Sequence, residues 1–179
     1  MCQVYLDSNN LQKEGVHILS CDEKTGIQAI EHNHPSKPGE IEKCEQEYKR
    51  NGTTTLIASR DINTGEIIAN MVNQTRNEKD FLKHISYVVS LTPNDKYIFV
   101  MDQLNTHKSE SLVKYVAKQC EIQEDLGKKG HYGILESMKT RQDFLEDENH
   151  RIRIVYTPKH ASWLNQIEIW FGILSRTNA

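Results

Sequence analysis

Two apolar runs, Val16-His17-Ile18-Leu19-Ser20-Cys21 and Tyr97-Ile98-Phe99-Val100-Met101, each end on an aspartate, Asp22 and Asp102. Runs of this length and composition read as strands buried inside a sheet. A carboxylate placed just past a buried strand is costly to leave unpaired. A third acid, Glu168, lies in a helix-like stretch that opens at PKHASWLN and continues Gln166-Ile167-Glu168-Ile169-Trp170-Phe171. Two strand-end aspartates and a helical glutamate suit a site that holds divalent cations through oxygen ligands. Such a site points to metal-assisted phosphodiester chemistry.

The rest of the chain supplies a frame for these residues. A Lys24-Thr25-Gly26 turn and a short apolar stretch, Ile27 to Ile30, follow the first run. Residues 31–51 read as a charged loop broken by Pro35, Pro38 and Gly39. Thr54–Ala58 and Glu66–Val72, joined through Asn63-Thr64-Gly65, read as a hairpin. Phe81, Leu82, Ile85, Val88 and Val89 recur at helical spacing until Thr92-Pro93-Asn94 stops them. A second helix is expected from about Ser109 to Cys120, and one short helix around 135–146 within a Gly-broken polar segment, 123–150. Ile152, Ile154 and Val155 form a last strand ended by Pro158, and a final helix is expected to begin near Ser162 as its N-cap. Strand, hairpin, helix, strand, helix, insertion, strand, helix is an α/β order with a mixed sheet between helices.

Composition narrows the function classes. A chain of 179 residues suits one domain with a core of its own. No run approaches the length of a membrane span, and the N-terminus has neither a basic start nor an apolar signal core, so a cytoplasmic protein is expected. Cys2, Cys21, Cys44 and Cys120 are scattered without a CxxC pair, which argues against a zinc ribbon or disulfide framework. His32, His34 and Cys44 fit no standard zinc spacing and read as a solvated loop. The formal net charge of -3 is unlike the basic surplus of a self-sufficient DNA binder.

FVMDQLNTHKS around Asp102 and YTPKHASWLNQIEIWFGIL around Glu168 resemble the second and third catalytic motifs of mariner-superfamily insertion-sequence transposases. HILSCDEKTGIQA resembles the strand carrying that family's first aspartate. The resemblance spans roughly residues 15–176. It implies a ribonuclease H-like α/β fold, with helices on both faces of the sheet. It also implies a DDE catalytic core that cuts DNA at transposon ends and joins them to a target. Asp22, Asp102 and Glu168 would be the catalytic and metal-binding triad for two Mg²⁺ or Mn²⁺ ions. DNA and a homodimeric active complex are the partners implied, in a bacterial, nucleoid-associated setting. Residues 1–15 are then expected to be an N-terminal remnant or linker, residues 16–179 the catalytic domain with an insertion at 123–150 and a shortened C-terminus. The family's helix-turn-helix region is expected to be absent here and encoded separately.

Around the triad, Asn105, His107 and Lys108 occupy a strand-to-helix loop suited to substrate contacts. Lys159 and His160 precede a helix N-terminus, whose amides attract anions, and Asn165 is a candidate hydrogen-bond donor to substrate. Competing readings stay open at several of these positions. Glu23 is an alternative ligand to Asp22, and His107 reads equally as part of a helix-capping loop with a solvated imidazole. Trp163, Trp170 and Phe171 read as core packing rather than base-stacking platforms. A stand-alone nuclease, or a non-catalytic remnant serving as a nucleic-acid-binding or interaction module, are the alternative functions.

Overall fold

The computed structural model describes residues 1–32 and 48–177. Five strands form one sheet in the order β3-β2-β1-β4-β5: β1 Val16–His32, β2 Tyr48–Asp61, β3 Ile67–Asn73, β4 Lys96–Met101 and β5 Ile152–Tyr156. β2 runs antiparallel to both neighbours, whereas β1, β4 and β5 are mutually parallel. This mixed α/β sheet, with a long hairpin arm at one side and parallel strands at the other, is the ribonuclease H-like arrangement expected.

β4 and β5 are buried almost throughout, as parallel strands covered on both faces must be. Six helices are described: α1 Cys2–Leu6, α2 Ser8–Lys13, α3 Glu78–Leu91, α4 Glu110–Gln119, α5 Met138–Leu145 and α6 Ile167–Thr177. On one face Phe81, Ile85, Val88 and Val89 of α3 and Leu112, Val113 and Val116 of α4 meet Leu19, Cys21, Ile57, Phe99 and Ile154 of the sheet. Leu135 and Leu145 join the same core, so the 123–150 segment packs as part of the domain. On the other face Val4 of α1 covers Val16, Ile18, Ile98, Val100 and Val155. Residues 2–13, expected to be a remnant or linker, are thus two short helices, the first of them laid against the sheet.

The caps explain where the long helices begin. Asn77 accepts from the backbone N–H groups of Lys79 and Asp80 at the start of α3, and Ser109 accepts from Leu112 at the start of α4. Ser137 and Thr140 form a reciprocal capping box that opens α5.

Three local expectations are corrected. β1 does not stop after Asp22 but continues to His32, paired with β2, and the Lys24-Thr25-Gly26 segment is a bulge in that arm rather than a turn. His32 therefore closes β1, while His34 and Cys44 lie outside the described residues. Ser162 caps no helix. Residues Ser162–Leu164 form a 3₁₀ turn after His160 at φ 62°, and the α-helix starts at Ile167. Trp163 is consequently 72% exposed, although Phe171 is buried as expected.

Candidate active site

Parallel pairing of β1 with β4 fixes the first two acids. The last paired residues are Ser20 and Val100, and Asp22 and Asp102 each lie two residues further on. Side chains alternate along a strand, so Ser20 and Asp22 share a face while Cys21 and Glu23 share the opposite one. Asp22 is therefore not at the end of its strand, but at the point where the parallel ladder stops and the antiparallel arm begins. One oxygen each of Asp22 and Asp102 and a ring nitrogen of His107 lie within 4.8 Å of one another.

Glu168 is not part of that group; the helix that bears it is tied to β1 through a set of buried hydrogen bonds. Asn165 is fully buried; its Nδ2 donates to the Cys21 carbonyl at 3.0 Å and to Asp22 Oδ2 at 3.0 Å. Its Oδ1 accepts from Ser20 Oγ. The same Ser20 Oγ accepts from the backbone N–H of Ile167 at 2.8 Å, the first residue of α6. A strand hydroxyl thus does the work of a helix cap. Glu168 donates its backbone N–H to the Asn165 carbonyl at 3.0 Å, and its exposed side chain acts on Asp22 as a like charge. Ile167 and Phe171 anchor α6 against Leu56 and Ala58.

Electrostatics separate the two aspartates. Burial, the Asp102 carboxylate and the Glu168 charge push Asp22 up to about 6, against the pull of His107 and the Glu23 N–H. Asp102 is also penalised by burial. The hydrogen bond from His107 and its positive charge, with the Leu104 N–H, nevertheless hold Asp102 below the usual carboxylate range. Two carboxylates pressed together, one strained toward protonation, form a site that a divalent cation would relieve.

The other sequence candidates fall into two groups. Asn105, Lys159 and His160 are exposed in the loops after β4 and β5. His107, Lys108 and Asn165 are buried. Lys108 donates to Gln142 Oε1 at 2.8 Å and to Gln103 Oε1 at 3.3 Å, and its ammonium lies 4.8 Å from the Tyr156 ring centroid. The His107 imidazole is not solvated; it packs 4.3 Å from the Phe81 ring centroid. Sequence reasoning misses Ser20, although a hydroxyl two residues before Asp22 in an apolar run is a visible signal. Arg76, which reaches the Glu23 carboxylate at 3.0 Å, leaves no sequence signal at all.

The Asp22 and Asp102 carboxylates and the His107 imidazole thus gather at this end of the sheet. The profile of the DDE superfamily endonucleases matches residues 17–178, and the chain belongs to that family. Solved structures similar to the chain include a Mos1 transposase paired-end complex with left transposon end, at 14% identity and a TM-score of 0.42, covering 96% of this chain and 52% of that one. A Mos1 strand transfer complex shares 16% identity with a TM-score of 0.42 over 96% and 51% of the two chains. A pre-cleavage Mos1 transpososome shares 15% with a TM-score of 0.42 over 96% and 53%. The chain spans about half the length of these solved chains. No curated protein matches the chain. Among the described residues, no helix is long and apolar enough to cross a membrane.

Proposed function

We propose that this chain is a transposase catalytic core that cleaves DNA at transposon ends and transfers the strands, using two Mg²⁺ or Mn²⁺ ions. The observation that carries the reading is the junction of β1 and β4, which brings the Asp22 and Asp102 carboxylates together beside the helix bearing Glu168. An oxygen-rich donor set of this kind fits a hard cation that keeps several waters. Asp22 and Asp102 would hold the ions between them, and Glu168 would complete the second position. When bound, such a pair activates the attacking oxygen and stabilises the departing one.

The chain's own residues contribute orientation. Asn165 fixes one oxygen of Asp22, leaving the other on the Glu23 N–H. Asn105, Lys159 and His160, exposed in the two loops that follow β4 and β5, are suited to contact the DNA backbone. The net charge of -3 predicts weak, salt-sensitive DNA affinity for the chain by itself.

The test combines binding and chemistry. Mn²⁺ or Mg²⁺ is expected to raise the melting temperature of the parent, and Asp102→Asn to remove most of that rise. A pre-cleaved end duplex with a free 3′-hydroxyl should be joined to plasmid in a metal-dependent manner. Cleavage without joining would make the chain a nuclease. An Asp102→Asn variant that responds to metal as the parent does would remove the site.

A further inference from the structure

His107 and Glu23 hold three of the buried polar side-chain atoms without a hydrogen-bond partner, among the described residues: Nε2 of His107 and both carboxylate oxygens of Glu23. These atoms face one another, with His107 Nε2 4.0 Å from Glu23 Oε1. The Glu23 side chain is 1% exposed and the His107 side chain 0%. On its other edge His107 Nδ1 sits 2.8 Å from Asp102 Oδ1 and 3.2 Å from the Asp102 carbonyl oxygen. Arg76 Nε closes the far end of the row at 3.0 Å from Glu23 Oε2. The four side chains are therefore linked in the order Arg76, Glu23, His107, Asp102.

The imidazole has no freedom to leave this linkage. Phe81 packs against its ring, and Tyr156 Oη donates to its backbone carbonyl at 2.7 Å. Nδ1 has only acceptors around it, so its proton points at Asp102. Glu23 lies on the opposite strand face from Asp22, a poor position for a ligand shared with it. Carboxylates that ligate metals are themselves oriented by hydrogen bonds from groups around them.

We propose that Glu23 and His107, braced by Arg76, are positioning residues that set the Asp102 carboxylate for metal binding, and that Glu23 is not itself a ligand. The proposal rests on the metal-dependent reading above. His107 holds one Asp102 oxygen by its Nδ1–H; Glu23 draws the opposite edge of the ring and fixes its tilt; Arg76 neutralises Glu23. That leaves Asp102 Oδ2 as the oxygen free for a metal.

Mn²⁺ titration tests this without requiring turnover. Dissociation constants would be measured for the parent, Asp102→Asn, His107→Ala, His107→Asn, Glu23→Gln and the Glu23→Gln/His107→Asn double variant. Urea unfolding without metal would be followed in parallel. His107→Ala is expected to weaken Mn²⁺ binding by about 10–100-fold, the usual range for such outer groups. His107→Asn retains an N–H at the Nδ1 position and should recover most of that affinity, even if it is no more stable than His107→Ala. Glu23→Gln should weaken binding in the parent but have little further effect beside His107→Asn. Equal Mn²⁺ affinity in the parent and both His107 variants would overturn the proposal. An equal Glu23→Gln loss in both backgrounds would make Glu23 a ligand and overturn it as well. If His107→Ala does not fold, the cycle with His107→Asn decides alone. A parent without Mn²⁺ binding sensitive to Asp102→Asn would instead refute the metal-dependent reading, and this proposal with it.

Discussion

Asp22→Asn is expected to make the metal-free protein more stable at neutral pH, although it removes a candidate catalytic group. The folded Asp22 carboxyl is pushed up to about 6 from 3.8 by burial and by Asp102. A tenfold change in proton affinity is worth about 1.4 kcal/mol, so ionising Asp22 in the fold costs roughly 3 kcal/mol relative to the unfolded chain. The sign follows from the raised value: the folded state binds the extra proton between the two pKa values. Stability linked to Asp22 is fully present below about pH 4 and is lost as pH rises past about 6. The amide avoids that loss, but one of its two ends must now face the Asn165 amide or the Glu23 N–H, returning about 1 kcal/mol. A net gain of about 2 kcal/mol at pH 7 to 8, shrinking toward pH 4, is therefore expected without metal. Urea unfolding of parent and variant across that range, with chelator present, measures the difference directly. Saturating Mg²⁺ should reverse the order, since a ligand at 100 times its dissociation constant adds about 2.7 kcal/mol to the parent alone. If the variant is less stable at pH 8 by the same amount as at pH 4, the account of Asp22 as a strained carboxylate is wrong.

His84 should show the opposite dependence. It is fully buried with Nε2 2.8 Å from Ser59 Oγ, and burial lowers its pKa to about 4. Its contribution is complete above about pH 6.5 and is lost as pH falls toward 4, about 3 kcal/mol in all; His84→Leu should abolish that slope in acid unfolding curves. Because the Asp22 effect runs the opposite way over nearly the same range, each slope is read as the difference between variant and parent. Asn165→Ala should destabilise by about 3–5 kcal/mol in urea unfolding, because Ser20, the Cys21 carbonyl and Asp22 all lose a buried partner. A change below about 1 kcal/mol would mean that water replaces the amide. Gly127→Ala should cost about 2 kcal/mol or more by the same measurement. Gly127 has φ 82°, and a Cβ would sit 2.1 Å from the Tyr132 carbonyl oxygen.

Much of the fold is legible because its strands and helices carry their own periodicity. The Tyr97–Met101 run matches β4 within one residue, and Phe81, Ile85, Val88 and Val89 form the buried stripe of α3. Patterning makes β1 too short because Lys24-Thr25-Gly26 reads as a turn, whereas it is a bulge after which the strand goes on pairing with β2. Trp163 defeats the expectation of burial because helical spacing counts from Ser162, whereas a 3₁₀ turn intervenes before Ile167. Asp22 and Asp102 can be found from their position after apolar runs. The burial of His107 cannot, since a loop histidine looks the same in sequence whether water or Phe81 lies against it. The contact of Arg76 with Glu23 joins segments that no local pattern relates.

The capping of α6 by Ser20 links the folding of the site to its chemistry. The hydroxyl that holds the first N–H of that helix comes from a residue 147 positions earlier in the chain. A helix of eleven residues is marginal in isolation. Its foothold is a small cluster of Leu56, Ala58, Ile167 and Phe171. The placement of Glu168 therefore depends on β1 standing in the sheet. Undocking of α6 would withdraw one carboxylate while the sheet and the two aspartates stay in place. If Glu168 acts as proposed, cutting competence would depend on a local opening equilibrium with its own free energy, below that of global unfolding. Solvent exchange at the Ile167 amide would report how often the molecule disarms itself.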